Sequence, residues 1–193
     1  VKRSRGEGVA AVHDDAALSL YEAAWVPTPL PAFREAALPK STRVRFVRDE
    51  AGLAAALAFL GPAAGEGPAD LLVYVAPLDA PIRPGAVLAG EASWPDLAGE
   101  LLAALDHQAR LGAKPDAMVI RRADDAFAEG LSGVARAVSR EWPEVQAKSL
   151  AFSAVPAPGE LVDIFLREWR SEDRSADVRY EGAVRAVRGF ALA

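Results

Sequence analysis

Short apolar segments alternate with amphipathic segments along most of this 193-residue chain. Residues 71–75 and 117–120 are continuously apolar, which is typical of strands buried on both faces of a sheet. Polar and apolar residues alternate over 43–47, and a further short strand is predicted over 146–152. Residues 18–27 combine aliphatic and aromatic side chains and lead into a proline-rich stretch, a composition that predicts one more strand.

The segments that follow these strands have the apolar spacing of helices. A helix over residues 94–111 would carry Leu97, Leu101, Leu102 and Leu105 on one stripe, and Gly112 is predicted to end it. The other segments with this spacing predict helices over residues 50–60, 124–141 and 159–170. The apolar stripe of the second comprises Phe127, Leu131, Val134 and Val138.

The end of the chain has the pattern of a hairpin, with strands over 177–180 and 183–187 and a turn at Glu181-Gly182. Together these elements predict an α/β fold with a mostly parallel sheet and helices on both faces. The outer segments near Leu20 and Val187 alternate in polarity, so we expect them to be the edge strands.

Residues 1–17 mix charge, glycine and alanine without periodicity. This pattern predicts a linker or flexible N-terminus. The folded unit is therefore expected to span residues 18–193.

Composition narrows the classes of function. A net charge of −5 argues against nucleic acid as a main partner, because phosphate contacts need clustered lysine and arginine. The absence of cysteine excludes disulfides and thiolate chemistry. The sequence has neither a membrane-spanning apolar run nor a signal-peptide pattern, which predicts a soluble, cytoplasmic protein without a membrane partner.

The chain lacks the motif by which α/β domains hold a dinucleotide. Gly-x-Gly-x-x-Gly is expected between the first strand and helix, because the backbone must approach a pyrophosphate closely there. After residues 43–47 this chain has Asp49, Glu50 and a single Gly52; the two carboxylates would repel phosphate and are candidate helix caps. The glycine-rich loop over 61–70 precedes a strand, so an ordinary flexible connection is favoured there.

The tyrosines do not carry the pattern of short-chain reductases. In those enzymes a tyrosine acts as general acid, and a lysine four residues later lowers its pKa. The residues four positions after the three tyrosines are Trp25, Leu78 and Val184. Independent reduction by that chemistry is therefore not expected.

Other candidate residues have simpler structural interpretations. Ser132 lies in a Gly-Leu-Ser-Gly segment within a helical period, which favours small-residue packing over a nucleophile. Asp124 and Asp125 could bind a metal or a ribose hydroxyl, but helix capping is favoured. His107 and His13 lack a second ligand at suitable spacing. No catalytic, cofactor-binding or metal-binding residue is therefore predicted.

The arginine-rich end is predicted to be a solvated face of mixed charge, because its arginines are interleaved with Glu168, Glu172, Asp173 and Asp177. The arginines concerned are Arg167, Arg170, Arg174, Arg179, Arg185 and Arg188.

Three phrases of the sequence resemble the ketoreductase regions of modular polyketide synthases. Residues 20–27, Leu-Tyr-Glu-Ala-Ala-Trp-Val-Pro, resemble the entry strand of that region. Residues 130–144 resemble its helix that ends in Glu-x-Pro, and residues 177–187 resemble its final hairpin of alternating valine, arginine and glycine. The chain matches the structural, N-terminal subdomain of such a region.

The resemblance implies a truncated Rossmann-like sheet of the short-chain-dehydrogenase type that has lost its cofactor-binding and catalytic residues. Such a subdomain braces a catalytic half, which binds NADPH and reduces β-keto groups on acyl-carrier-protein thioesters. The catalytic half or adjacent synthase domains would be the partners, and the acyl carrier protein an indirect one. No active-site residue of the family maps onto this chain.

Two positions depart from the family pattern. Trp142 stands where the family often has histidine, and residues 150–153 lack the usual aspartate. These departures imply a divergent branch, such as a pseudo-ketoreductase kept beside other processing domains.

Two other functions are compatible with the sequence. A free-standing Rossmann-like enzyme could use Asp49, Asp124 or Asp125 at the carboxyl ends of strands, which predicts a concave pocket with converging polar groups. The chain could instead be a small ligand-sensing or protein-interaction module. The structural-subdomain hypothesis predicts an exposed apolar patch or an unpaired sheet edge.

Overall fold

A computed structural model describes residues 21–29, 41–49, 51–78, 94–126 and 128–192. Several predicted features lie outside these residues: the linker over 1–17 with His13, the strand start over 18–20 where the folded unit was expected to begin, and Glu50.

The described strands are β1 (Tyr21–Pro27), β2 (Val44–Asp49), β3 (Leu71–Val75), β4 (Asp116–Arg122), β5 (Ala147–Phe152), β6 (Asp177–Glu181) and β7 (Val184–Leu192). The described helices are α1 (Leu53–Ala56), α2 (Trp94–Arg110), α3 (Glu129–Glu141) and α4 (Pro158–Trp169), and a 3₁₀ turn (Ala58–Leu60) follows α1. None of these helices combines the length and apolar character that crossing a membrane requires.

The seven strands form one sheet in the order β1-β7-β6-β5-β4-β3-β2. Strands β2 to β6 are parallel to one another, whereas β7 is antiparallel to β6 and β1 is antiparallel to β7. The predicted α/β fold with a mostly parallel, Rossmann-like sheet is confirmed. The prediction that the segment near Val187 forms an edge was wrong, because β1 adds to the sheet beyond β7 and leaves β7 in the interior.

Helices cover both faces of the sheet. In β3, Leu71, Val73 and Val75 pack on the side of α1 and α4, whereas Leu72 and Tyr74 pack on the side of α2 and α3. All five are buried, as the continuous apolar run predicted.

The four connections between parallel strands do not all have the same hand. They all advance across the sheet in one direction. Connections of a single hand would then place every helix on one face. Since α1 and α4 lie on one face and α2 and α3 on the other, two connections have the opposite hand to the other two.

The predicted helix over 124–141 begins later than expected, at Glu129. Asp125 accepts a hydrogen bond from the amide of Ala128 at 2.9 Å and so forms a turn before the helix. The side chain of Asp124 pairs with Arg122 at 2.8 Å and contributes no helix cap. Phe127, which the prediction placed on the apolar stripe, lies outside the described residues.

A cluster of charged side chains is buried beneath α4. The carboxylate of Glu168 on α4 accepts hydrogen bonds from Lys148 of β5 at 2.9 Å, Tyr180 of β6 at 2.5 Å and Arg185 of β7 at 2.5 Å. Arg185 also pairs with Asp173, in the loop after α4. Two cations and two anions thus balance in a region of low dielectric, where removing one partner typically costs about 3–5 kcal/mol.

This cluster corrects the prediction that the C-terminal arginines form a solvated face. Arg185 and Glu168 are buried, at 3% and 0% exposed, although Arg174 and Arg188 are exposed as expected. Burial alone would raise the pKa of Glu168, but hydrogen bonds and charge from Arg185 and Lys148 outweigh it and lower that pKa.

Gly61 allows the chain to turn closely past the start of β2. It has a φ of 153°, and a Cβ atom there would lie 2.4 Å from the carbonyl oxygen of Thr42. The same approach brings the amide of Thr42 to 2.9 Å from the carbonyl oxygen of Leu60. Any side chain at this position therefore meets backbone atoms that cannot rotate away.

We expect Gly61→Ala to lower the free energy of unfolding by about 3 kcal/mol, because it adds a backbone clash to an unfavourable φ. Gly65→Ala is the matched control: Gly65 has a φ of 54° and open space around it, so strain alone costs about 1 kcal/mol. Urea denaturation of both variants measures the difference. Equal losses would show that Thr42 does not constrain Gly61.

Candidate functional site

The carboxyl ends of parallel strands are where open α/β sheets bind ligands. A cavity of about 310 Å³ lies at this edge. Leu53 of α1, Leu78 after β3, Val155 after β5 and Leu161 of α4 contribute to its wall, and its described lining contains no charged side chain. It therefore offers no cation to a phosphate group.

Asp49, at the end of β2, binds the amides at the start of α1, beside this cavity. One carboxylate oxygen accepts the amide of Leu53 at 2.7 Å, and the other accepts the amide of Ala54 at 2.9 Å. Free amides at a helix start attract anions, but here a carboxylate of the chain itself fills that role. The described residues do not fit a dinucleotide pyrophosphate, since it would have to displace Asp49 and approach its negative charge. Of the two candidate caps, Asp49 binds the first amides of α1, although Gly52 is the N-cap residue and α1 ends at Ala56 rather than Leu60.

The other two candidate carboxylates also bind within the chain. Asp124 forms a bidentate pair with Arg122, and the hydrogen bond from Arg122 lowers the pKa of Asp124. The same guanidinium donates to the carbonyl oxygen of Leu78 at 3.2 Å. Asp125 is buried and bonded to the amide of Ala128. The capping prediction was wrong for both residues, because Ala128 is the N-cap of α3, Asp124 pairs with Arg122, and Asp125 binds an amide in the turn before the helix. None of the three carboxylates lines the cavity described above.

The order of the strands is a further reason why the described residues do not fit a dinucleotide. Dinucleotides bind α/β sheets at the point where the strand order reverses. From β2 to β6 the described parallel strands follow one another in chain order, without a reversal. No such point exists within this described set of strands.

The fold does bring a tyrosine and a lysine together, although no lysine follows a tyrosine at the reductase spacing. Tyr180 and Lys148 both contact the carboxylate of Glu168. Burial and the charge of Glu168 raise the pKa of Tyr180, the opposite of what a phenolate acid–base requires. With both side chains buried, this pair is structural.

Ser132 is buried on α3, in line with the predicted small-residue packing. Its hydroxyl also accepts a hydrogen bond from a buried arginine that the sequence analysis did not single out. Arg121 on β4 is 1% exposed and donates to the hydroxyls of Ser132 and Ser149 at 3.2 and 3.1 Å. It also pairs with Glu129 at 2.9 Å. The available signal was an arginine directly after the apolar run over 117–120.

His107 and the glycine-rich loop belong to the opposite, amino-terminal edge of β3. Gln108 accepts the amide of Ala69 at 2.7 Å and donates to the carbonyl oxygen of Gly67 at 3.2 Å. The Nε2 atom of His107 lies 3.0 Å from the carbonyl oxygen of Glu66. These contacts hold the glycine-rich loop against α2. Within the described ranges no three potential ligands group around a metal position.

An apolar groove runs between α2 and α3 on the outer surface. It comprises two neighbouring cavities of about 390 and 620 Å³. The small residues Gly99, Gly130, Gly133 and Ala137 form much of its floor, and Leu102 projects into both cavities.

The prediction that Leu102 lies on the buried stripe of α2 was wrong. Leu102 is 52% exposed, whereas Leu101 and Leu105 are buried. The structural-subdomain hypothesis predicted an exposed apolar patch or an unpaired sheet edge. The groove is such a patch. In the described sheet, β1 and β2 each pair on one side only.

Comparisons with known proteins identify the fold. No protein-family model matches the sequence, and no curated protein matches it. An A1-type ketoreductase structure matches with a TM-score of 0.60 and 14% identity over 90% of this chain. A ketoreductase domain from the bacillaene assembly line matches with a TM-score of 0.52 and 14% identity, also over 90% of this chain.

A third structure combines adenylation, ketoreductase and pseudo-Asub domains of a keto acid-selecting NRPS module. It matches with a TM-score of 0.53 and 14% identity over 90% of this chain. This chain spans only 42%, 38% and 18% of the three matched chains, in the order given.

The chain has a ketoreductase-like fold. The three phrases that carried the sequence resemblance fall on β1, on α3 and the residues after it, and on the β6–β7 hairpin. Two of these elements lie next to each other, since β1 pairs with β7. In this ketoreductase-like sheet, two of the three sequence segments thus form the antiparallel end, and the third includes α3, which borders the outer groove.

We expect Asp49→Ala to lower the free energy of unfolding by about 1–2 kcal/mol, because two amides of the ketoreductase-like fold would lose their acceptor. Asp124→Ala, which removes an exposed ion pair, should lower it clearly less. Urea denaturation measures both values. A loss for Asp49→Ala no larger than that for Asp124→Ala would contradict the assigned role of Asp49.

Proposed function

We propose that this chain is a non-catalytic structural subdomain of a ketoreductase region in a polyketide synthase or related assembly line. It braces an NADPH-dependent catalytic half that acts on β-ketoacyl chains held by an acyl carrier protein. The observation that carries the proposal is the carboxylate of Asp49 on the amides of Leu53 and Ala54, where a bound cofactor would place its phosphates.

The lengths of the matched structures support a ketoreductase partner. The A1-type ketoreductase and the bacillaene ketoreductase domain each have more than half of their length outside the part this chain covers. In those proteins the shared fold is accompanied by the rest of a ketoreductase. The proposed partner of this chain is the corresponding catalytic half.

The groove between α2 and α3 is the surface we assign to that partner. An exposed leucine beside glycine-lined space suits helix packing, because small residues let another backbone approach closely and Leu102 supplies an apolar anchor. The alternative of a free-standing enzyme receives less support, since none of Asp49, Asp124 and Asp125 lines the described cavity at the carboxyl edge.

Calorimetric titration with NADPH tests the absence of a cofactor site. We expect no saturable heat from the isolated chain at protein concentrations that detect a Kd of about 1 mM, or about −4 kcal/mol. The chain co-purified with a ketoreductase catalytic half should give saturable heat. Saturable binding by the isolated chain would overturn the proposal and direct attention to the loops after β2 and β3.

Leu102→Asp tests the docking surface. Because Leu102 is half-exposed, the variant should fold, whereas a buried carboxylate at the interface should weaken binding of the catalytic half about thirtyfold. Leu111→Asp is the matched control, because Leu111 is 42% exposed and lies outside the groove. Its affinity should stay within about twofold of the original chain. Equal affinities for the two variants would exclude the groove as the interface.

A further inference from the structure

The two antiparallel strands β1 and β7 are referred to here as the β1–β7 ribbon, residues Tyr21–Pro27 and Val184–Leu192. Among the ribbon side chains whose burial the structure describes, Arg185 alone is buried, and none of the apolar ones is. Within this described part of the ribbon, the buried anchor is therefore a charged side chain.

Arg185 joins the ribbon to three other parts of the chain. Its Nε and Nη2 atoms donate to the two carboxylate oxygens of Glu168 on α4 at 2.5 and 3.1 Å. Its Nη2 atom also pairs with Asp173 in the loop after α4. Its Nη1 atom lies 3.4 Å from the carbonyl oxygen of Pro29, just beyond β1.

The other ribbon contacts lie nearer the surface. Arg188 pairs with Glu129 at 3.0 Å, with both side chains more than one-third exposed. It also lies 3.8 Å from the buried carboxylate of Asp177, which has a second partner in Arg136. The ring of Trp25 is 5.8 Å from the guanidinium carbon of Arg179, and Trp25 is half-buried. Val187 packs only partly against the core. Exposed ion pairs and cation–π contacts contribute little to stability.

The rest of the sheet does not depend on the ribbon in the same way. Strands β3 and β5 are buried along their whole length, and helices pack on both faces. Glu168 would keep Lys148 and Tyr180 as partners if Arg185 were removed. Segments with few buried apolar contacts open as separate cooperative units.

We propose that Arg185 is an ionic latch that closes the β1–β7 ribbon onto the parallel sheet. When the latch is lost, the ribbon opens as one unit, and β6 becomes the edge of a five-stranded parallel sheet. The inference is independent of the proposed function, because it concerns only the coupling between strands of this chain.

Amide hydrogen exchange of Arg185→Met tests the latch. We expect exchange in β1 and β7 to accelerate by at least about a hundredfold, because the variant leaves the carboxylates of Glu168 and Asp173 without the guanidinium. Exchange in β3, β4 and β5 should change by less than about threefold. Arg188→Met is the matched control, since it removes an exposed arginine from the same strand, and it should leave ribbon exchange within about threefold.

Two results would overturn the latch. One is equal acceleration throughout the sheet, which would show that the ribbon does not open separately. The other is ribbon exchange in Arg185→Met that matches Arg188→Met. If Arg185→Met does not fold, hydrogen exchange of Arg185→Lys is measured instead, because lysine keeps the positive charge but lacks the planar guanidinium. Ribbon-limited acceleration in Arg185→Lys supports the latch, and uniform acceleration or none overturns it.

Discussion

Glu168 is the acceptor on which the arrangement of the last three strands in the chain depends. Its carboxylate receives hydrogen bonds from Lys148 on β5, Tyr180 on β6 and Arg185 on β7. Ionised groups are tolerated away from water only when their partners are held in place, so the position of α4 and the register of three strands constrain one another. Glu168 thus couples Arg185 at the antiparallel end of the sheet to Lys148 and Tyr180 in the parallel part.

The carboxyl edge of the sheet is occupied by atoms of the chain itself. Asp49 holds the amides at the start of α1, Arg122 holds Asp124 and the carbonyl oxygen of Leu78, and Asp125 closes a turn. In the part of this edge that the structure describes, these polar groups are thus bound within the chain. The scaffold thus keeps the ketoreductase-like architecture, while the local chemistry at this edge favours stability over phosphate binding.

The two faces of the sheet differ in how completely their helices cover them. Under α1 and α4 the large side chains Leu57, Phe165 and Trp169 are almost fully buried. On the other face, the glycines of α2 and α3 leave a groove into which Leu102 projects. Among the described residues, the groove between α2 and α3 therefore offers apolar surface for packing.

The sequence by itself determined the elements whose side chains repeat with a clear period. The apolar runs of β3 and β4, the stripe of α4 and the final hairpin all lie where their patterns predicted them, and the capping role of Asp49 followed from its place after a strand. Only the tertiary structure decided that β7 is an interior strand, that Leu102 is exposed and that Arg185 is buried. Periodicity shows which residues share a face of an element, but the partner of that face comes from distant segments. For Arg185 that partner is Glu168, seventeen residues away on another element, and no local pattern reveals such a pairing.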